Sequence, residues 1–473
     1  MDTNSSKFST HHVVLFPFMS KGHMIPILNL ARLLLRRGMA VTMFTTTGNR
    51  PFIAESLADT SVCIIDIPFP QNAPEIPPGV ESTDLLPSMS LFFSFCKATK
   101  QMQPMVEEKL QGLVQVQPVS FMVSDGFLWW TLESATKFGL PRLVFTGMNQ
   151  FVSCVSRAVF EDRLLDGAES DDELITVTRF PWIKVTRNDF SAVMPNPNGP
   201  TMEVFIDQVK SMSNSLGYIV NSFYELEKVY IDNWNSEKRP KVWCVGPLCL
   251  AEPELEPQKK PFWIQWLDQK LAQGCSVLYV AFGSQAEVPS EQVQQIAMGL
   301  QESKANFLWV LRKKESETIL DEGFEEKVKG RGLVVKQWVD QRQILKHQCI
   351  EGFLSHCGWN SALESICYGV PILAWPMIAE QALNARMVVE EIKVGLRVES
   401  TCNGMTPGFV KWDGLMKMVK ELMEGEIGKQ VRKRVKQVAE LAKMAMADSD
   451  GSSWQTLDLL INELCNKKQD VRL

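Results

Sequence analysis

The 473-residue sequence has no C-x-x-C pair, no long apolar run and no excess of basic charge. Its eleven cysteines are scattered and odd in number, which argues against a disulfide scaffold and against a zinc site of the usual spacing. We therefore expect a reducing compartment. The net charge of −6 argues against a nucleic-acid partner, because such proteins normally present a basic face.

The apolar runs of the sequence are all short. No run reaches the roughly 18 residues that a membrane-spanning helix needs, so we expect no integral membrane segment. The first run, residues 13–18, is too short for the core of a signal peptide. These features predict a cytoplasmic protein, and we expect it to be a monomer.

Strand and helix patterns alternate along both halves of the chain. Residues 13–18 predict a buried strand, residues 25–37 a helix that ends at Gly38, and residues 85–113 a long helical stretch. The alternation restarts at residue 276. Because strand-helix-strand units form parallel sheets, the fold class is α/β, with two Rossmann-like domains facing across a cleft. That cleft is the expected ligand site.

Two segments interrupt this alternation. Residues 166–200 are rich in Asp, Asn and Pro, which predicts loops that shape a pocket or a lid. The Pro- and Glu-rich residues 246–262 predict an interdomain linker. We therefore place the N-terminal domain at residues 1–245 and the C-terminal domain at residues 263–473, whose last helix can pack back on the first domain.

The strongest chemical signal lies in residues 338–381. A predicted strand ends at His356 and a helix follows from Gly358, so backbone N–H groups at the helix N-terminus favour an anion such as a diphosphate. His356 adds a donor there, and Asn360 and Ser361 are short polar donors in the first turn. This stretch therefore predicts a nucleotide site.

Acidic and amide side chains extend that site in both directions. Glu364 lies one turn beyond Ser361 on the same helix face, and acidic residues near a nucleotide commonly accept from ribose hydroxyls. Glu380 and Gln381 open another helix after a strand, and such a pair suits several sugar hydroxyls. These side chains therefore suit a ligand that carries several hydroxyls beside its anionic group.

A second signal surrounds His23, one of only five histidines. It lies where a predicted strand gives way to a helix, and a helix N-terminus keeps imidazole neutral, as a general base with a reference pKa of about 6.5 requires. Asp125 follows another buried strand and can orient that imidazole. Alone, His23 fits a core histidine and Asp125 a helix cap; together they favour catalysis.

At these positions the sequence resembles the signature box of plant secondary-product glycosyltransferases, UDP-dependent enzymes of the GT-B type. The box runs over residues 338–381 without insertion or deletion, and the resemblance extends to both ends of the chain. It implies inverting transfer of glucose from UDP-glucose to a hydroxyl of a small lipophilic acceptor, giving a β-O-glucoside. The final Gln of the box is typical of glucose users. Val339 and Asp340 depart from the commoner small residue and Pro.

The resemblance also implies roles in donor binding. Trp338 would stack on the uracil, and the backbone of Val339 would bond its edge. Gln341 and Glu364 would bind the ribose. The residues implied at the diphosphate are His356, Asn360, Ser361 and Ser284, and those implied at the sugar are Trp359, Glu380, Gln381 and Thr146.

The resemblance implies that His23 is the catalytic base and Asp125 its partner. Candidate walls of the acceptor pocket are the apolar residues Phe18, Met19, Phe127, Trp130, Phe145, Met148, Phe151 and Phe205. Ordinary core packing explains each of them equally well. Aromatic and Met-rich walls suit flat or bulky apolar acceptors. The opening at residues 18–24 is similar to family branches that act on flavonoids, other phenolics and terpenoids, and we favour a flavonoid or other phenolic.

No metal or other cofactor is expected, since the UDP-sugar is a co-substrate. The run Asp448-Ser449-Asp450 matches a D-x-D metal motif, but it precedes a predicted helix and is interpreted as a cap and turn. Three alternatives stay open: another UDP-sugar donor, an epimerase or hydrolase on the same fold, and a catalytically silent UDP-sugar-binding protein. The last would be expected to lack His23 or Asp125.

Overall fold

The computed structural model describes residues 11–190, 201–237, 240–251, 260–311, 323–398 and 409–466. The chain divides into two compact units. The first comprises Met1–Gln150, Pro195–Pro253 and Met444–Leu473, and the second comprises Phe151–Met194 and Glu254–Lys443. A single cut at the predicted linker would assign two segments differently, because Phe151–Met194 belongs to the second unit and the last helix to the first.

The first unit is built on a parallel sheet. Its strands among the described residues are β1 (His12–Phe16), β2 (Ala40–Thr45), β3 (Cys63–Asp66), β4 (Phe121–Asp125), β5 (Arg142–Thr146), β8 (Gly217–Val220) and β9 (Lys241–Cys244). They are ordered β3-β2-β1-β4-β5-β8-β9, and every neighbouring pair is parallel.

Helices cover both faces of this sheet. They are α1 (Lys21–Arg36), α2 (Arg50–Ser56), α3 (Phe92–Thr99), α4 (Gln103–Val116), α5 (Thr131–Lys137), α7 (Thr201–Ser213), α8 (Tyr224–Ser236) and α17 (Ser452–Asn466). The helical stretch predicted over residues 85–113 begins near Met89 in the structure and is divided into α3 and α4. A 3-10 turn, Lys100–Met102, separates α3 from α4, and Pro104 lies in the first turn of α4, where proline begins a new helix.

Strand β1 illustrates why its sequence is continuously apolar. Val13 and Leu15 pack in one core cluster, with α1 and with Leu457 of α17. Val14 and Phe16 pack in another, with Phe95 of α3. A strand that is buried on both faces needs apolar residues at every position, so the run shows no alternation.

The second unit contains another parallel sheet. Its described strands are β10 (Val277–Ala281), β11 (Asn306–Val310), β12 (Gly332–Val335), β13 (Ile350–Ser355), β14 (Ile372–Ala374) and β15 (Gly395–Arg397). Their order is β12-β11-β10-β13-β14-β15. The predicted α/β class with two Rossmann-like domains is confirmed.

The helices of the second unit are α6 (Gln150–Glu161), α9 (Phe262–Ala272), α10 (Ser290–Ser303), α11 (Phe324–Lys327), α12 (Gln341–Leu345), α13 (Trp359–Cys367), α14 (Gln381–Arg386), α15 (Trp412–Glu424) and α16 (Glu426–Ala445). A π-helical turn, Met387–Glu391, continues α14. Among the helices described here, none is both long and apolar enough to cross a membrane.

The segment predicted as loops at residues 166–200 contains a hairpin, so that prediction is wrong in part. Strands β6 (Ile175–Val177) and β7 (Phe180–Val185) are antiparallel. Phe180, Ile183 and Val185 are buried, which gives this polar segment an apolar side. Next to the hairpin, the buried Asp189 carboxylate accepts from Arg386 Nε of α14 at 2.7 Å. The remainder of the predicted loop, residues 191–200, lies outside the described residues.

In each sheet the strand order reverses once, between β1 and β4 in the first and between β10 and β13 in the second. Ligands of open α/β sheets bind at the carboxyl ends of strands at such a reversal. At the first reversal His23 lies beyond β1 and Asp125 is the last residue of β4, and at the second Ser284 and His356 follow the strand ends. The fold thus places the strongest site candidates where such sheets bind ligands.

Candidate active site

The residues at the first reversal form a His-Asp pair. Strands β1 and β4 are neighbours in parallel register, so the loop after Phe16 and the end of β4 lie side by side. His23 Nδ1 lies 2.7 Å from Asp125 Oδ2. The Asp125 side chain is 2% exposed and that of His23 is 20% exposed, so the carboxylate is enclosed while the imidazole reaches solvent.

Hydrogen bonds fix the orientation of both side chains. The second oxygen of Asp125, Oδ1, accepts from the backbone N–H of Phe127 at 2.9 Å. A carboxylate only accepts, so Nδ1 of His23 donates to it and Nε2 is the nitrogen that can take up a proton. This is the arrangement of base and orienting carboxylate that general-base catalysis uses.

A buried arginine that the sequence reasoning missed supports this pair. Arg142 is 2% exposed and donates to Ser124 Oγ at 2.8 Å and to the backbone oxygen of Asp125 at 3.3 Å. Burial lowers the pKa of Arg142 to about 9, with the nearby Asp125 carboxylate opposing the shift, so the guanidinium stays charged at neutral pH. The sequence signal that could have identified Arg142 is its position, a charged residue at the start of the apolar run of β5.

Aromatic rings surround the imidazole. The ring centroid of His23 lies 5.6 Å from that of Phe18 and 5.5 Å from that of Phe127, both edge to face. Phe92 of α3 packs 5.0 Å from Phe127. A Cβ added to Gly147 would lie 3.1 Å from Cε1 of His23, so this backbone packs closely against the ring. The surroundings of His23 are therefore largely apolar.

Of the predicted acceptor residues, Phe18 and Phe127 lie beside His23, whereas Phe145 packs in the opposite core cluster, with Leu143. Phe92, which packs against both Phe18 and Phe127, was not predicted, because only the packing of α3 brings it here.

The other acceptor candidates occupy varied positions. Met19 is buried, and its backbone oxygen accepts from Thr83 N. Met148 is partly buried, and its backbone oxygen accepts from Thr146 Oγ1 at 3.1 Å. Phe205 lies partly buried on α7. Trp130 and Phe151 are fully buried.

In the second unit, the residues predicted to bind the nucleotide include an exposed indole and a hydrogen-bonded polar cluster. Trp338 is 59% exposed, whereas Val339 is 7% exposed. Gln341 Nε2 donates to Ser361 Oγ at 2.9 Å and to Glu364 Oε2 at 2.7 Å. The structure thus brings together three polar side chains of the kind that bind ribose hydroxyls, and it leaves the indole of Trp338 exposed.

The loops at the second reversal pack tightly around His356. A Cβ added to Gly283 or to Gly358 would lie 2.6 Å from Nε2 of His356, so both positions require glycine. Gly283 also has a φ of 75°, which favours glycine. Gly358 precedes α13, whose first turn carries Asn360, and Ser284 follows Gly283; both are partly exposed. Backbone N–H groups and short polar side chains meet here, as diphosphate binding requires.

Burial lowers the pKa of His356 to about 4, so the ring is neutral at physiological pH. We predict that the affinity for UDP-glucose is unchanged between about pH 5.5 and about pH 8, because an imidazole with a lowered pKa gains no charge there. Titration calorimetry at several pH values checks this. An affinity that rises on acidification in the wild type, but not in His356→Gln, would mean that His356 binds as imidazolium.

The candidate sugar residues differ in exposure. Gln381 is 5% exposed, and its Oε1 accepts from the backbone N–H groups of Met377 and Ile378, both at 3.0 Å. Glu380 is partly exposed at the start of α14. Trp359 is only 2% exposed, so its indole packs in the interior and its backbone is the part that lies at the helix start.

The Asp448-Ser449-Asp450 run lies directly before α17, where the backbone oxygen of Asp450 accepts from Gln455 Nε2 at 3.2 Å. In the part of the chain that the structure describes, no group of three or more His, Cys, Asp or Glu side chains is arranged to hold a metal ion.

The sequence of the chain is similar to those of sugar transferases. Residues 256–439 match the family described as UDP-glucoronosyl and UDP-glucosyl transferase. UDP-glycosyltransferase 90A1 of Arabidopsis thaliana is 55% identical over 469 residues, covering 97% of each chain. UDP-glucose flavonoid 3-O-glucosyltransferase 7 of Fragaria ananassa is 33% identical and is matched over 96% of each chain.

Solved structures agree with this comparison. Glycyrrhiza uralensis UGT73P12, complexed with glycyrrhetinic acid 3-O-monoglucuronide, matches with a TM-score of 0.84 and 29% identity, covering 98% of this chain and 97% of that one. Phytolacca americana UGT2, complexed with UDP-2fluoro-glucose and pterostilbene, matches with a TM-score of 0.81 and 27% identity, covering 96% of this chain and 99% of that one.

Proposed function

The chain belongs to the plant UDP-glycosyltransferase family, and from that premise we propose that it transfers glucose from UDP-glucose to a phenolic hydroxyl. The family establishes a UDP-dependent glycosyltransferase; the sugar and the acceptor are our proposal. The observation that carries it is the 2.7 Å contact between His23 Nδ1 and Asp125 Oδ2, set among aromatic rings.

The proposed reaction is a single in-line displacement. Nε2 of His23 takes the proton of the acceptor hydroxyl, and Asp125 stabilises the imidazolium that forms. The acceptor oxygen bonds to the anomeric carbon as the bond from that carbon to the diphosphate oxygen breaks, and UDP leaves from the opposite face. The α-linked sugar of the donor therefore becomes a β-glucoside.

The proposed donor site uses the residues of the second unit. The exposed face of Trp338 supports stacking on uracil. The hydrogen-bonded side chains of Gln341 and Glu364 support binding of ribose hydroxyls. His356 and the start of α13 suit the diphosphate and stabilise its charge as UDP leaves, without a metal ion. Glu380 and Gln381 at the start of α14 suit the glucose hydroxyls.

A flavonoid or related phenolic is the favoured acceptor class, with a terpenoid as the alternative. Flat aromatic rings pack well against Phe18, Phe92 and Phe127, which adjoin the proposed base. The name of the Fragaria ananassa relative specifies a flavonoid acceptor and UDP-glucose. Pterostilbene, in the Phytolacca americana structure, is also a phenolic.

UDP release from purified protein tests the proposal. The assay uses UDP-glucose with flavonoids, simple phenols or terpenoids, and EDTA throughout. We expect release that depends on a phenolic acceptor, accompanied by a product with the mass of its glucoside. Release without an acceptor would instead indicate a hydrolase. UDP binding without release from any UDP-sugar would indicate a silent binding protein.

A further inference from the structure

A buried amide in α14 connects the two regions assigned to diphosphate and sugar. Asn384 has no exposed surface. Its Nδ2 donates to the backbone oxygen of Cys357 at 2.9 Å and to Glu380 Oε1 at 3.2 Å. An amide NH₂ carries two hydrogens, so one side chain can make both bonds.

The first of these bonds holds a strained turn. Cys357 has a φ of 61°, a conformation that side-chain-bearing residues rarely adopt and that persists only where the surroundings impose it. Its N–H donates to Ser355 Oγ at 3.1 Å, and its carbonyl accepts from Asn384. This residue lies between His356 and Gly358, so the turn sets the direction of the chain where the diphosphate is proposed to bind.

The second bond orients a carboxylate. Glu380 lies one turn before Asn384, and its Oε1 accepts from the same amide. The helix that carries both residues is anchored at its other end by the buried bond of Arg386 to Asp189. A carboxylate held in this way has one direction toward a ligand, which is how a site distinguishes hydroxyl epimers.

We propose that Asn384 is a positioning residue for the donor, which sets both the diphosphate turn and the sugar-facing carboxylate of Glu380. The part that concerns the sugar rests on the proposed function of Glu380. The part that concerns the turn depends only on the binding of UDP. Asn384 itself touches neither ligand; it acts through Cys357 and Glu380.

Asn384→Asp tests this inference, because it keeps the volume of the side chain but places a third acceptor between two acceptors. Gln292→Glu is the matched control. Gln292 is also a buried amide of the second unit, and its Nε2 donates to the backbone oxygen of Val410 at 2.8 Å. Both variants lose a hydrogen bond from a side-chain amide to a backbone carbonyl, so both report any general loss of stability.

We expect Asn384→Asp to weaken UDP binding by about 10-fold and to lower the preference for UDP-glucose over UDP-galactose in kcat/KM by about 10-fold. Gln292→Glu should change neither quantity by more than about 2-fold. An unchanged UDP affinity or an unchanged sugar preference in Asn384→Asp, or equal losses in the two variants, would overturn the inference.

Two controls separate this result from other failures. If the wild type transfers no glucose, the proposed function fails, while UDP titration still decides whether Asn384 sets the turn. If Asn384→Asp does not fold, Asn384→Ser replaces it, since a serine hydroxyl is too short to make both bonds. The same outcomes then apply.

Discussion

His23→Ala should lower kcat by about 10²- to 10⁴-fold, because it removes the general base that deprotonates the acceptor. The expected affinity for UDP is that of the wild type, since the nucleotide residues we propose belong to the second unit and His23 to the first. Steady-state kinetics with the best acceptor, together with UDP titration, measures both quantities.

His11→Ala is the matched control for this substitution. His11 precedes β1, where its backbone oxygen accepts from Ala40 N at 2.9 Å, a bond that the substitution retains. We expect wild-type kinetics from this variant. Near wild-type kcat in His23→Ala would remove His23 from the mechanism, and an equal loss in both variants would point to damaged folding.

Gly358→Ala should raise the KM for UDP-glucose by about 10- to 100-fold, the loss expected when a hydrogen bond to a charged group is broken. The added Cβ would lie 2.6 Å from Nε2 of His356 and must displace the imidazole. UDP alone should also bind more weakly, because the displaced ring faces the proposed diphosphate site. Donor-saturation kinetics and UDP titration measure the two effects.

Gly414→Ala is the control for this second substitution. Gly414 lies within α15, and a Cβ there would meet nothing within 4 Å. Alanine should leave the kinetics unchanged and stabilise the helix by up to about 1 kcal/mol. If Gly358→Ala binds UDP as tightly as Gly414→Ala does, the packing of His356 does not matter for the donor.

The placement of His23 beside Asp125 could be anticipated from the sequence, because both lie at the carboxyl ends of apolar strands and such ends meet at one edge of a parallel sheet. The residues that surround them could not. Phe92 belongs to α3, which is separate along the chain from both β1 and β4, and only tertiary packing brings it there.

Strand β5 shows a different limit. Val144 and Phe145 point to opposite faces, and both are buried. A strand that is apolar on both sides carries no alternation from which to decide the face, so Phe145 was named as a pocket wall although it packs in the opposite cluster. Strand β7 was missed for a different reason. Pro181 and the polar flanking residues are typical of a loop, although the segment forms a short strand.

In the second unit, too, some features could be predicted from the sequence and others could not. The resemblance of residues 338–381 to the signature box predicts the donor-binding side chains, and their contacts with a nucleotide sugar stay a prediction. The role of Asn384 could not be inferred, since its bond to Cys357 joins residues 27 apart in the chain. Such supporting contacts depend on how α14 packs, which local patterns do not encode.

The configuration of the glucoside formed from UDP-glucose shows whether the acceptor hydroxyl attacks the anomeric carbon directly. Proton NMR of the purified product reports the anomeric configuration through the coupling between H1 and H2 of the sugar. Direct attack of an acceptor hydroxyl activated by His23 predicts a β-glucoside with a large coupling. An α-glucoside, or free glucose in place of a glucoside, would contradict the account.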